Sequence, residues 1–144
     1  MRSGTENVPL IAGFAAATAY IGEDKEKNAR RIAALKASLV RRMSQLYPKS
    51  ILNGSAKALP HIANIWLPGK AAEDLLIRLD LAGIAVSAGS ACAARSSQPS
   101  YVLKAMGCSV SRARESLRFS FGRMTAPAEM NHLFAILKQV LKSS

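Results

Sequence analysis

Residues 25–46 place Ile32, Leu35, Leu39, Met43 and Leu46 at steps of three and four. That spacing puts the five on one side of a long helix, and such a stripe must be covered by another layer of structure. Lys27, Arg30, Arg31, Arg41 and Arg42 fall largely off the stripe and read as its solvated back. Tyr47-Pro48 ends the helix. Two further stretches can supply cover. Residues 126–142 carry Met130, Leu133, Phe134, Leu137 and Leu141 at helical spacing, with Thr125 as the expected N-cap and Pro127 in the first turn. Residues 71–83 bury Leu75, Leu76 and Leu79, with Gly83 at the C-terminal stop.

Around these lie strand-like segments. Residues 50–54 and 61–69 each end in glycine, 84–87 read as a short buried strand, and 116–122 alternate strictly. Residues 8–21 read as a helix that tolerates Pro9 in its first turn, and a further helix is expected from about 99 to 106. Helices packed on one small, mainly antiparallel sheet make an α+β domain. At 144 residues the chain fits one domain. It can bury roughly 70% of its unfolded surface without a disulfide or metal staple.

The formal charge of +11 favours anionic partners such as phosphates, carboxylates, nucleic acid or an acidic protein surface. Nucleic acid is not the expected partner, since the basic run lacks aromatic interleaving and a recognition motif. No apolar run reaches the ~20 residues of a membrane span, and the start has no signal-peptide layout. A cytoplasmic protein is expected, with Cys92 and Cys108 as free thiols. His61 and His132 do not stand at metal-ligand spacing with either cysteine, so no zinc site is expected.

Three places could carry chemistry. Cys92 follows Ala88-Gly89-Ser90-Ala91 and precedes a stretch without apolar periodicity. It is either an incidental loop cysteine or an accessible thiol whose thiolate the neighbouring Arg95 favours. In Leu117-Arg118-Phe119-Ser120-Phe121, alternation sends the apolar residues to the core and Arg118 with Ser120 to the other face. Arg118 is either a surface arginine or a rigidly mounted clamp for a carboxylate. Gly4-Thr5, just before the first helix, is either an ordinary capping segment or a phosphate contact. Arg123 and Cys108 read as structural.

Taken jointly, "RSGTEN", "IAVSAGSAC", "PSYVLKAMG" and "SLRFSFGRMT" occur in the order seen in cysteine desulfurases. The chain resembles the C-terminal part of these enzymes, which belong to the class V aminotransferase superfamily with the type I pyridoxal phosphate fold. The interval from Cys92 to Pro99 is similar to that of the longer-loop group that serves iron–sulfur cluster assembly.

The resemblance implies a small C-terminal domain over 23–144, with 1–22 as a linker and helix from a large domain. It makes Cys92 the nucleophile that takes sulfur from L-cysteine as a persulfide, leaving alanine. It makes Arg118 the clamp on the substrate carboxylate. Thr5 becomes a contact to the phosphate of the cofactor, pyridoxal phosphate, donated across a homodimer interface. A sulfur acceptor or iron–sulfur scaffold protein is the implied partner. The family's Schiff-base lysine, ring-stacking histidine and ring-nitrogen aspartate have no counterpart in the sequence, so the chain alone is expected to be inactive. Two other functions fit the residues: a cofactor-independent persulfide relay through Cys92, and a basic binding module.

Overall fold

The computed structural model describes residues 4–55, 58–89 and 99–142. The stripe over 25–46 forms helix α2 (Lys25–Leu46), which buries Leu35, Leu39 and Met43 while Ile32 and Leu46 pack half-buried at its ends. It meets α6 (Pro127–Val140) and the sheet, and α3 (Ala72–Leu81) closes the layer from the other side. In α3, Ala72, Leu75 and Leu79 are buried, whereas Leu76 is half-buried.

The sheet has three antiparallel strands in the order β1 (Ile51–Asn53), β2 (Ile62–Trp66), β3 (Ser116–Ser120). The alternation places Ala63 and Ile65 of β2 with Leu117 and Phe119 of β3 in the core, all nearly inaccessible. Helices over one face of an antiparallel sheet make the α+β architecture the patterning implies.

Residues 84–87 do not form the expected strand; only Ser87 pairs, opposite Arg118. The cause lies at the end of α3. Gly83 adopts φ 76°, which brings its N–H to the Asp80 carbonyl and the Ile84 N–H to the Leu79 carbonyl. This Schellman closure engages the first donor of the segment with the helix. Ile84 and Val86 still pack half-buried against the core.

A second departure concerns the start of α6. Thr125 is not its N-cap; Ala126 holds that position, and the Thr125 hydroxyl accepts from the Gly122 N–H instead. Glu129 reaches back to the Ala126 N–H at 2.6 Å, supplying the acidic half of a capping box. The 99–106 helix is shorter than its pattern, α4 (Tyr101–Ala105), capped by Ser100. A short α5 (Val110–Arg114) follows, capped by Ser109. Its single turn buries only Ala113 and gives too little apolar signal to read from sequence.

The arginines on the back of α2 are not all merely solvated. Arg31 donates to the carbonyls of Gly122, Arg123 and Thr125, tying α2 to the turn after β3. Arg42 donates to Asn131 Oδ1 and stacks 4.0 Å over Phe134 of α6. Arg123 covers the ring of Tyr20 at 3.8 Å and donates to the Tyr20 carbonyl, which fixes the end of α1 (Val8–Glu23). The rest of α1 exposes Val8, Leu10, Ile11, Phe14 and Ile21.

Candidate functional site

The sheet face away from the core carries one row of polar side chains. The registers set Asn53 opposite Asn64 and Asn64 opposite Arg118, and the Ser87 bridge extends the row past β3. Asn53, Asn64 and Arg118 of this row line a cleft of about 580 Å³. Tyr101 and Val102 of α4, with Met106 just past its end, line it together with Leu59, Ile62, Ala88, Gly89 and Ser100.

Arg118 stands as its alternation requires, on the cleft side of β3. Its Nε is fully buried and has no hydrogen-bond partner among the described residues. A buried donor left unpaired costs free energy that a ligand's acceptor would recover. Lys36 of α2 also reaches the cleft lining; it is buried, and its Nζ donates to the Leu59 carbonyl at 2.9 Å. No aspartate or glutamate lines the cleft among the described residues. Two cations without a counter-charge make it a site for an anion, and a guanidinium favours a planar carboxylate.

Behind the row lies a polar network. Asn53 is buried; its Nδ2 donates to Asn64 Oδ1 at 2.6 Å and to Ser116 Oγ at 2.9 Å, while its Oδ1 accepts from Arg112 Nε at 2.7 Å. Ser116 Oγ donates to the Arg112 carbonyl. Arg112 also lies over the Trp66 ring at 4.9 Å, and Trp66 Nε1 donates to Glu115 Oε2 at 2.8 Å. That indole bond holds the Glu115 carboxyl below its ordinary value, with the Gly69 N–H and Ser111 adding to it and partial burial opposing it. Glu115 faces a separate, more open hollow bordered by Val110 and Arg114.

Of the residues singled out from sequence, Cys92 and its neighbour Arg95 lie outside the described residues. The described chain reaches Gly89 and resumes at Pro99, and Gly89 and Ser100 both line the cleft. Thr5 is exposed ahead of α1, whose N-cap is Asn7, and does not line the cleft. Cys108 is half-buried and closes the end of α4, its N–H on the Leu103 carbonyl at 2.9 Å, a structural position as expected.

Sequence reasoning missed Asn53, Asn64, Arg112 and Lys36. The signal for Asn64 is present in retrospect: an asparagine inside the strand "IANIW" is a poor strand former that needs a partner. The described cleft lining contains neither a carboxylate to pair with a pyridine nitrogen nor an imidazole to stack on its ring. It therefore does not supply the ring partners of pyridoxal phosphate. Among the described residues no cluster of three His, Cys, Asp or Glu could hold a metal ion.

Fold and site together define an α+β domain that sets Arg118, its Nε without a partner among the described residues, in a cleft on the open face of its sheet. Residues 1–133 match the pattern of the aminotransferase class-V family, and the chain belongs to that family. Curated relatives include a cysteine desulfurase of Frankia sp., 40% identical over 90% of this chain and 31% of its own length. Another is the human cysteine desulfurase, 35% identical over 92% of this chain and 29% of its own. Among solved structures, a NifS-like protein from Rickettsia africae superposes with a TM-score of 0.80 at 28% identity, covering 98% of this chain and 36% of that one. The chain thus spans about a third of the length of the relatives it matches. Among the described residues no helix is long and apolar enough to cross a membrane.

Proposed function

We propose that this chain is the sulfur-receiving and carboxylate-gripping part of a cysteine desulfurase. Arg118 binds the carboxylate of L-cysteine, and Cys92 takes the sulfur. In the reaction the Cys92 thiolate attacks the substrate sulfur, an S–S bond forms and the substrate Cβ–S bond breaks. Protonation of the carbon left behind gives alanine, and Cys92 keeps the sulfur as a persulfide, with no external oxidant or reductant required. Pyridoxal phosphate supplies the electron sink for this chemistry when bound. Its ring partners come from residues other than the described cleft lining, with Thr5 offering a phosphate contact to a second copy in a homodimer. The persulfide then passes to an acceptor such as an iron–sulfur scaffold protein.

The observation that carries this reading is the unpartnered Arg118 Nε on the floor of an acid-free cleft. The support from relatives is their naming as cysteine desulfurases.

Two measurements test it. The chain is incubated with glutathione persulfide and then mass-analysed after digestion. Addition of one sulfur atom at Cys92, lost in Cys92→Ala, is expected; an unmodified Cys92 overturns its role as carrier. The chain alone is then mixed with pyridoxal phosphate and L-cysteine. Neither a cofactor absorbance shift nor sulfide release is expected, and the appearance of either overturns the assignment of the cofactor's partners to residues elsewhere.

A further inference from the structure

Asn53 and Asn64 are amides, and an amide's orientation is decided by its neighbours' donors and acceptors. Arg112 can only donate. Its Nε bond therefore forces Asn53 to present Oδ1 on that side, at 2.7 Å. Both hydrogens of Asn53 Nδ2 are then spent on Ser116 Oγ and Asn64 Oδ1. The Ser116 hydroxyl is free to accept because its own proton goes to the Arg112 carbonyl. Asn64 must offer its oxygen to Asn53, so its NH₂ group is turned the other way. That NH₂ has no hydrogen-bond partner among the described residues, and Asn64 lines the cleft directly opposite Arg118 in the register.

We propose that Asn64 is a second donor to the ligand's carboxylate, beside Arg118, and that Arg112 is the positioning residue that sets its orientation through Asn53. This rests on the reading of the cleft as a carboxylate site. Residues opposite each other on adjacent antiparallel strands have Cβ atoms about 5 Å apart, a span over which two side chains can share one carboxylate.

The test is a nuclear magnetic resonance titration of the full chain with L-alanine, using L-alaninamide as the carboxylate-free control. Saturable shifts of the Asn64 side-chain NH₂ and the Arg118 backbone N–H are expected with L-alanine and not with the amide. Asn64→Ala is expected to weaken L-alanine binding about tenfold, with the resonances of Leu117 and Phe119 unchanged to show an intact sheet. Asn64→Asp is expected to weaken it further, because a carboxylate then faces the ligand's own. In Arg112→Leu the Asn64 NH₂ no longer shifts on binding, and the preference for L-alanine over the amide shrinks.

If Asn64→Ala binds L-alanine as the wild type does while Arg118→Leu abolishes binding, the role of Asn64 falls and the role of Arg118 stands. If Arg118→Leu also binds normally, or the wild type gives no saturable response, the carboxylate site itself is refuted. An Asn64 NH₂ that shifts in Arg112→Leu as in the wild type removes Arg112 from the relay.

Discussion

Ser87 and Arg118 exchange both of their backbone hydrogen bonds, Ser87 N to Arg118 O at 3.1 Å and Arg118 N to Ser87 O at 2.7 Å. They are the one pair through which the segment after α3 joins the sheet edge among the described residues. A residue that lines the cleft thus also anchors the stretch leading toward Cys92. The side chain and the backbone of Arg118 serve different tasks, so substitutions can separate them.

Arg118→Leu keeps the backbone pairing and removes the buried, unpaired Nε. Burying a donor without a partner costs about 1–3 kcal/mol. The variant is therefore expected to be as stable as the wild type or about 1 kcal/mol more stable, while losing carboxylate binding. Urea denaturation followed by circular dichroism measures this. A loss of stability above about 1 kcal/mol contradicts the finding that the Nε lacks a partner.

Asn53→Leu is expected to do the opposite. The substitution leaves the Arg112 Nε, the Asn64 Oδ1 and the Ser116 hydroxyl without their shared partner. A cost of about 2–4 kcal/mol is expected, measured by the same denaturation. A near-neutral result shows that the network is already open to water.

Gly83→Ala tests the Schellman closure. The φ of 76° is open to glycine and strained for alanine, although no atom stands within 4 Å of where the new Cβ would lie. The cost is expected to be about 1 kcal/mol and purely conformational. Hydrogen exchange at the Ile84 N–H is expected to rise with it, since that bond depends on the turn.

Glu115 gives the expected pH dependence. Its folded carboxyl titrates below its ordinary value of 4.5, chiefly through the Trp66 indole bond. A depressed folded pKa means that the folded state favours the charged form. The stabilisation is complete above the unfolded value and is lost as the pH falls through the folded one. Melting temperatures from pH 6 down to pH 3 are expected to fall less steeply in Glu115→Gln than in the wild type. Trp66→Phe is expected to show the same flattening, and equal slopes in all three proteins contradict the role of the indole.

The core was readable because it follows periodicity. Leu39, Met43, Leu75, Leu117, Phe119 and Leu137 are fully or almost fully buried, and each stands on a stripe or alternation visible in the chain. Arg118 was readable for the same reason, since alternation alone sets its face. What escaped was set by backbone closure and by polar pairing. The Gly83 turn draws the Ile84 donor into the helix end, which no propensity of "IAVS" encodes. The Asn53–Asn64–Arg112 arrangement joins residues up to 59 positions apart and becomes visible only once the strands are in register. Arg31 escaped because its partners are carbonyls at the far end of the chain, which carry no sequence signature.

The Ser87 bridge fixes a leash. Five peptide steps separate Ser87 from Cys92 in the chain, and five fully extended residues span at most about 18 Å. That length bounds how far the Cα of residue 92 can stand from Ser87, which pairs with Arg118. Under the proposed role of Cys92, handover distance is dictated by where that tether is pinned and not by how far a partner can reach.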